Sequence, residues 1–239
     1  MSGISVVPAS STASDGTHGE LAQRTYRLLR DLMIRGRLPP GSRAVEAQLA
    51  RKAGVSRTPV REALARLAQE GYLVPATSGR RIEYQVAPLS ADAMRELWGV
   101  IGALEGQAVL SLGTMMSDEW SALAGDLTRV NRKLLEATSA RPRDQDLISE
   151  LQTAFHVCFM DRCAGPFLRA LYDRVRPHVQ RYEWAYGTQS DAPYGPSIAE
   201  HEGIIMAIAR GDGRGAKELL ERHWARGAER TAEQIVRLS

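Results

Sequence analysis

The chain has 239 residues, 44% of them apolar, with 31 basic and 28 acidic side chains. That is enough apolar material for one large or two modest cores, and it excludes a chain disordered throughout. No apolar run reaches the length of a membrane span, and the only cysteines, Cys158 and Cys163, lie too close together to form a disulfide framework. They are expected to pack as small apolar groups in a reducing compartment, which points to the cytoplasm.

Charge is distributed unevenly. Residues 18–88 hold 13 Lys+Arg against 6 Asp+Glu, or +7, whereas residues 89–239 hold 18 against 21, or −3. Such segregation suggests a polyanion-binding module joined to a neutral one. Only three of the 31 bases are lysines, so an arginine-rich composition also accounts for part of the excess.

Residues 1–17 lack the basic start and apolar stretch of a signal peptide and read as a disordered tail. From Glu20 to Ile34, Leu21, Tyr26, Leu28, Leu29, Leu32 and Met33 recur at helical spacing until "GRLPPGS" stops the helix. A short helix follows at about Val45 to Ala53, with Val45, Leu49 and Ala53 on one face and Gly54 at the left-handed stop. Ser56 is a suitable N-cap for a third helix, which accepts Pro59 in its first turn and buries Val60, Leu64 and Leu67. After Gly71 the period changes to two: Leu73 to Pro75, a turn at Ser78-Gly79, then Ile82, Tyr84 and Val86. Three helices and a hairpin make a winged helix-turn-helix over residues 18–88.

After the "APLS" linker the pattern is helical in about six pieces: Ser90 to about Leu112, Ser117 to about Thr138, 146–163, 166–186, a piece opened by a Ser197/Glu200 capping box, and a last one to about Val236. The fold expected is therefore mainly α, an N-terminal winged helix-turn-helix followed by an all-α bundle over residues 89–239.

On the third helix, Arg57, Thr58 and Arg61 project opposite the buried stripe, where a recognition helix enters the major groove. Arginine's fork matches guanine O6 and N7, and the Ser56 and Thr58 hydroxyls suit phosphate or base edges. Ser78, Gly79, Arg80 and Arg81 would form the wing tip. The alternative for Arg57 and Arg61 is an ordinary solvated helix face. Against it stand the hairpin that follows and the charge segregation.

"LARKAGVSRTPVREALARLAQEGYL" resembles, nearly letter for letter, the DNA-binding region of the GntR family of bacterial transcription regulators. The resemblance implies DNA contacts at Ser56, Arg57, Thr58 and Arg61 and, at the wing tip, at Ser78 and Gly79. Many relatives carry an arginine on the second helix where this chain has Ala47.

Of the five histidines, His201 and His223 each lie ten to twelve residues from a turn near residue 213. In an antiparallel hairpin both then stand at one level, roughly 16 Å along. His156 would come from another helix, with Gln152 one turn before it. Three converging imidazoles suit zinc, nickel or a similar ion. Histidines dispersed in this way are also common as surface or satisfied core groups.

Residues from Leu89 to about Val236 resemble the effector-binding helical domain of the FadR subfamily, the FCD type, through "LEGQAV", "FH" at 155–156, "EHEGIIMAIARGD" and His223. The resemblance implies a metal held by His156, His201 and His223 with a fourth ligand at Gln152, where metal-binding members have aspartate. An amide oxygen is a neutral, weaker ligand. Many members also place an arginine four residues before the glutamate of the first-helix motif, where it can pair with an organic acid; here that position is Ile101. Arg174 and Arg181 remain as candidates to receive a carboxylate.

The expected function is a dimeric, sequence-specific regulator, a repressor reading a palindromic double-stranded operator and released by a small organic acid sensed at a divalent metal, zinc or nickel. Two other classes compete. A metal-dependent hydrolase would need a general base, and Glu150, Glu200 and Glu202 are poorly placed or occupied as caps. An architectural DNA protein without a ligand would have a solid, dry C-terminal core.

Overall fold

The computed structural model describes residues 12–76, 83–187 and 194–238. Two units divide the chain, residues 1–88 and 89–239.

In the first unit, helix α1 runs Thr12–Ile34 and buries Tyr26, Leu29, Leu32 and Met33. It begins inside the segment expected to be a disordered tail: residues 12–17 are helical, and residues 1–11 lie outside the described residues. Helix α2, Glu46–Ala53, starts one residue later than its apolar pattern suggests. Val45 is its extended N-cap and is exposed, so Leu49 and Ala50 form the buried face instead. Gly54 takes the left-handed φ of +67° that stops α2, donating its N–H back to the last turn. Helix α3, Arg57–Gln69, buries Pro59, Val60, Ala63, Leu64 and Leu67 against α1 and α2.

Strands β1 (Leu73–Ala76) and β2 (Glu83–Val86) pair antiparallel, with Leu73 opposite Val86 and Ala76 opposite Glu83. The wing tip, with Ser78, Gly79, Arg80, Arg81 and Ile82, lies outside the described residues. Residues 41–44, which read as loop, add a third rung to this hairpin. Gly41 N–H donates to Val86 O at 2.9 Å, Val86 N–H to Ser42 O at 2.8 Å and Ala44 N–H to Tyr84 O at 2.8 Å. The loop after α1 thus satisfies the outer edge of β2, so the wing is held from both sides.

The second unit is helical: α4 (Ala91–Val109, continued by a 3-10 turn to Thr114), α5 (Ser117–Ser139), α6 (Gln145–Cys163), α7 (Pro166–Gly187), α8 (Gly195–Ala209) and α9 (Gly213–Leu238). N-cap side chains hold three of them: Ser90 Oγ accepts from Ala93 N–H at the start of α4, Asp144 Oδ1 from Leu147 N–H at the start of α6 and Asp212 Oδ1 from Gly215 N–H at the start of α9. Helix α8 does not use the expected capping box. It begins at Gly195 with Pro196 in its first turn, which leaves Ser197 inside the helix and Glu200 beyond the capping position.

Trp98, Ile101, Phe155, Phe159, Val179, Ile204, Leu220 and Trp224 form the centre of the bundle, each contributing about 1.5–3 kcal/mol of apolar burial. Both cysteines are free, Cys163 buried and Cys158 half-buried. Helices α4 and α9 share the most extensive contact. A Cβ at Gly102 would lie 3.2 Å from the Trp224 side chain, and one at Gly106 would lie 3.0 Å from Lys217 Cγ. The missing side chains let α9 settle onto α4 and carry Trp224 and His223 to the level of Glu105. Gly211, with φ +65°, folds α8 back along α9.

Candidate functional site

Two sites emerge, one in each unit. On the first, Ser56, Arg57, Thr58 and Arg61 all lie exposed on the outer face of α3, opposite its buried stripe. Ser56 stands at the N-cap position with extended backbone, but its hydroxyl makes no capping bond, which leaves orphan N–H groups at the start of α3. Arg57 makes no ion pair among the described residues. Arg61 differs: its Nε and Nη2 donate to the two carboxylate oxygens of Glu46, each at 3.1 Å. This fork-to-fork pair ties the recognition helix to α2 and fixes the direction in which Arg61 projects. Nothing in the residue pattern announced it, because Glu46 reads as an ordinary acidic first-turn residue.

In the second unit His156 (α6), His201 (α8) and His223 (α9) converge, and a ring nitrogen from each lies within 4.8 Å of the others. The hairpin register does bring His201 and His223 level, with ring centroids 4.8 Å apart. Each histidine is fixed from behind. His156 Nδ1–H donates to Glu105 Oε2 at 2.9 Å, His201 Nδ1–H to Asn131 Oδ1 at 3.0 Å and His223 Nδ1–H to Glu200 Oε2 at 2.8 Å. Three different helices therefore hold the same tautomer, with every Nε2 left to face the centre.

The three partners are themselves anchored. Glu105 Oε2 also accepts from Trp224 Nε1 at 2.6 Å. Asn131 Nδ2 donates to Ile198 O at 3.2 Å, which leaves the amide oxygen for His201. Glu200 takes both ends of Arg230, at 2.8 and 3.0 Å. Phe155 stacks on His201, with ring centroids 3.8 Å apart and planes 9° from parallel.

Burial, reinforced by the nearby Arg176 charge for His156 and by His223 for both, holds the His156 and His201 imidazoles well below their ordinary pKa. Both are neutral at physiological pH. The short His156–Glu105 contact is accordingly a hydrogen bond to a neutral ring rather than an ion pair. Burial alone would raise Glu200, but hydrogen bonds from His223 and Arg230 outweigh it and hold the carboxyl at about 2. A carboxylate so occupied is a poor general base, which removes the candidate nearest to His201 for a hydrolytic role.

These residues fit a divalent ion. The donors are neutral, their tautomers are fixed, and His201 Nε2 is buried without a hydrogen-bond partner among the described residues. Their nitrogens lie within 4.8 Å of one another, and tetrahedral bonds of the usual length would need them about 3.4 Å apart. Gln152 lies half-buried one turn before His156 and makes no hydrogen bond among the described residues. Ile101 is fully buried in the core. Of the arginines expected to receive an acid, Arg174 is exposed and Arg181 buried. Sequence reasoning passed over Asn131 and the buried Arg176, and it assigned Glu200 to a helix cap rather than to His223. Glu105 carried a signal only as the acid of "LEGQAV".

Comparison with known proteins agrees with both units. Residues 96–226 match the FCD domain family, and residues 21–81 match the family described as bacterial regulatory proteins, gntR family. The chain is 25% identical over 205 residues to the uncharacterized HTH-type transcriptional regulator YdhC of Bacillus subtilis, covering 85% of this chain and 88% of that one. It is 25% identical over 201 residues to the HTH-type transcriptional repressor GlaR of Escherichia coli, covering 83% and 90%. Among solved structures, E. coli McbR/YncC superposes with a TM-score of 0.70 at 20% identity, over 90% of this chain and 98% of that one. A putative transcriptional regulator GntR from Rhodococcus sp. RHA1 gives 0.66 at 19% identity over the same shares, so the whole architecture is common to these proteins. With a gntR-type winged helix-turn-helix ahead of an FCD helical domain, the chain belongs to the GntR family of DNA-binding transcription regulators.

Proposed function

We propose that the protein is a homodimeric repressor whose helical unit senses a small organic acid at a divalent metal held by His156, His201 and His223. The observation that carries this reading is the common treatment of the three histidines: each Nδ1 is tied to a side-chain oxygen on a different helix, and each Nε2 is left for a shared ligand. A divalent ion there, zinc or nickel by the donor set, supplies a positive centre for an acid's oxygen. Gln152, one turn before His156 on α6, is the candidate for a fourth, neutral ligand.

At the other unit, Arg57 and Thr58 read base edges, Ser56 and the orphan N–H groups of α3 meet phosphate, and Arg61 presents the fork that Glu46 aligns. Ser78, Gly79 and Arg80 belong to the wing-tip contact. Two such heads in a dimer read the halves of a palindrome, and the acid shifts the population away from the arrangement that engages both. Relatives named as repressors support the direction.

A duplex selected from a random pool by the protein itself tests this reading. Its binding should be selective and weakened by an organic acid, and purified protein should hold about one equivalent of metal per chain that His201→Ala abolishes. Protein that selects no sequence and retains no metal in either form would contradict it.

A further inference from the structure

The flank of the α8–α9 hairpin opens to solvent as a pocket of about 400 Å³. Helix α8 supplies small residues to it, Ala199 and Gly203, and helix α9 supplies Leu219, Arg222 and Arg226. The half-buried Glu200 and the buried His223 line its inner side. Gly203 is not there for close packing, unlike Gly102 and Gly106 on α4. A Cβ at Gly203 would meet nothing nearer than the Leu219 methyls, at 3.9 and 4.0 Å, so the missing side chain leaves open space.

Charge in this pocket is unbalanced. Arg222, Arg226 and Arg230 recur every four residues and so share one face of α9. Glu200 is the one carboxylate among the described lining residues, and it is already engaged: Arg230 takes both of its oxygens, at 2.8 and 3.0 Å, and His223 Nδ1–H donates to one of them. Arg226 Nη1 stands 3.8 Å from Glu200 Oε1, beyond hydrogen-bond reach. Arg222 is exposed and makes no hydrogen bond or ion pair among the described residues. Two guanidinium forks one turn apart therefore face a concave surface with their charge unmet.

The ligand that meets both is an anion with two charges at one end. A phosphate monoester carries about −1.5 to −2 at pH 7 on three acceptor oxygens, enough for a fork from each arginine. A single carboxylate has one charge and two oxygens, which one fork already fills. The volume falls among those of small-molecule pockets and has room beyond a phosphate group. Ala199, Gly203 and Leu219 give that room an apolar wall.

We propose that this pocket is a second ligand site, distinct from the histidine cluster, and that it takes a small phosphate monoester. Arg222 and Arg226 hold the phosphate, and the organic part of the ester lies against Ala199, Gly203 and Leu219. The site uses its own residues and needs neither the metal nor the acid of the proposed function.

Isothermal titration of the intact protein with phenyl phosphate and ribose 5-phosphate tests it, with benzoate as a single carboxylate and inorganic phosphate as the bare ion. The better ester should bind about tenfold or more tightly than either control. Arg222→Gln and Arg226→Gln, both at exposed positions, should each cut that affinity about fivefold or more. Arg174→Gln, which removes an exposed charge from α7, should leave it unchanged. Esters no tighter than benzoate, or ester affinity unchanged in both pocket variants, would overturn the inference. So would an equal loss in all three variants, which would mean diffuse attraction to an arginine-rich surface. Inorganic phosphate as tight as the better ester would overturn the assignment of an ester in favour of the bare ion.

Discussion

Arg57 and Arg61, four residues apart on one exposed helix face, differ in what surrounds them. Arg61 is aligned by Glu46, whereas Arg57 has no ion pair among the described residues. Arg57→Ala should therefore cost about 1–3 kcal/mol of discrimination between the selected duplex and random DNA at fixed salt. Glu46→Gln should leave Arg61 its charge but loosen its aim, reducing selectivity while nonspecific binding holds. Competition anisotropy with the two duplexes separates these outcomes.

The residues behind the histidines make the same kind of distinction. Asn131→Ala removes the acceptor that fixes His201, and metal affinity should fall 10–100-fold with all three imidazoles still present. Glu200 gives a pH signature in the metal-free protein. Its folded pKa, about 2, lies below the ordinary 4.5, so its bonds stabilise the fold fully above about pH 4.5 and are lost as pH falls through 2. Glu200→Gln should lower stability by about 1–3 kcal/mol at pH 7, with the gap to the parent closing toward pH 2. Thermal melts across that range would show it. A gap that widened in acid would reverse the sign assigned here.

At the scale of elements, the helices of the bundle and the hairpin were legible because each carries its own period and stop: Gly54 and Gly211 at left-handed positions, Pro166 opening α7, Ser90 capping α4. Less legible were features decided by distant partners. The pairing of residues 41–44 with β2 has no alternation to announce it, being set by the edge that β2 leaves open. Glu200 sits three residues after a serine and so reads as a capping box, yet the helix starts earlier and its carboxylate turns to His223 and Arg230. Glu105 and Asn131 are 51 and 70 residues from the histidines they hold, and no local period connects such pairs. Arg176 looks like one more charge on an arginine-rich helix until packing buries it.

The α4–α9 contact carries a prediction of its own. Gly102→Ala places a methyl 3.2 Å from Trp224, and relief requires the indole to move from Glu105. The substitution should destabilise the helical unit by about 1–3 kcal/mol, as overpacking does, and alter Trp224 fluorescence. A variant with the parent's melt and emission would mean that α4 and α9 are not pressed together at this point.

For the whole molecule, a basic unit built to meet DNA is joined to a near-neutral unit built around a buried histidine cluster, in the order shared by GntR regulators with FCD domains. Family membership accounts for the architecture and the DNA-binding role. Gln152 and Ile101 are where this chain departs from the pattern that its resemblance implies: a neutral amide at the fourth position, and an isoleucine on α4 where many members carry an arginine. No described helix is long and apolar enough to cross a membrane.

The central claim is that occupancy of the histidine site controls DNA binding. Fluorescence anisotropy of the selected duplex, titrated with zinc-loaded protein with and without succinate, tests it most directly when repeated with His201→Ala. The account predicts that succinate weakens binding by the parent at least fivefold and leaves the variant's affinity unchanged. Equal sensitivity to succinate in both proteins would contradict it.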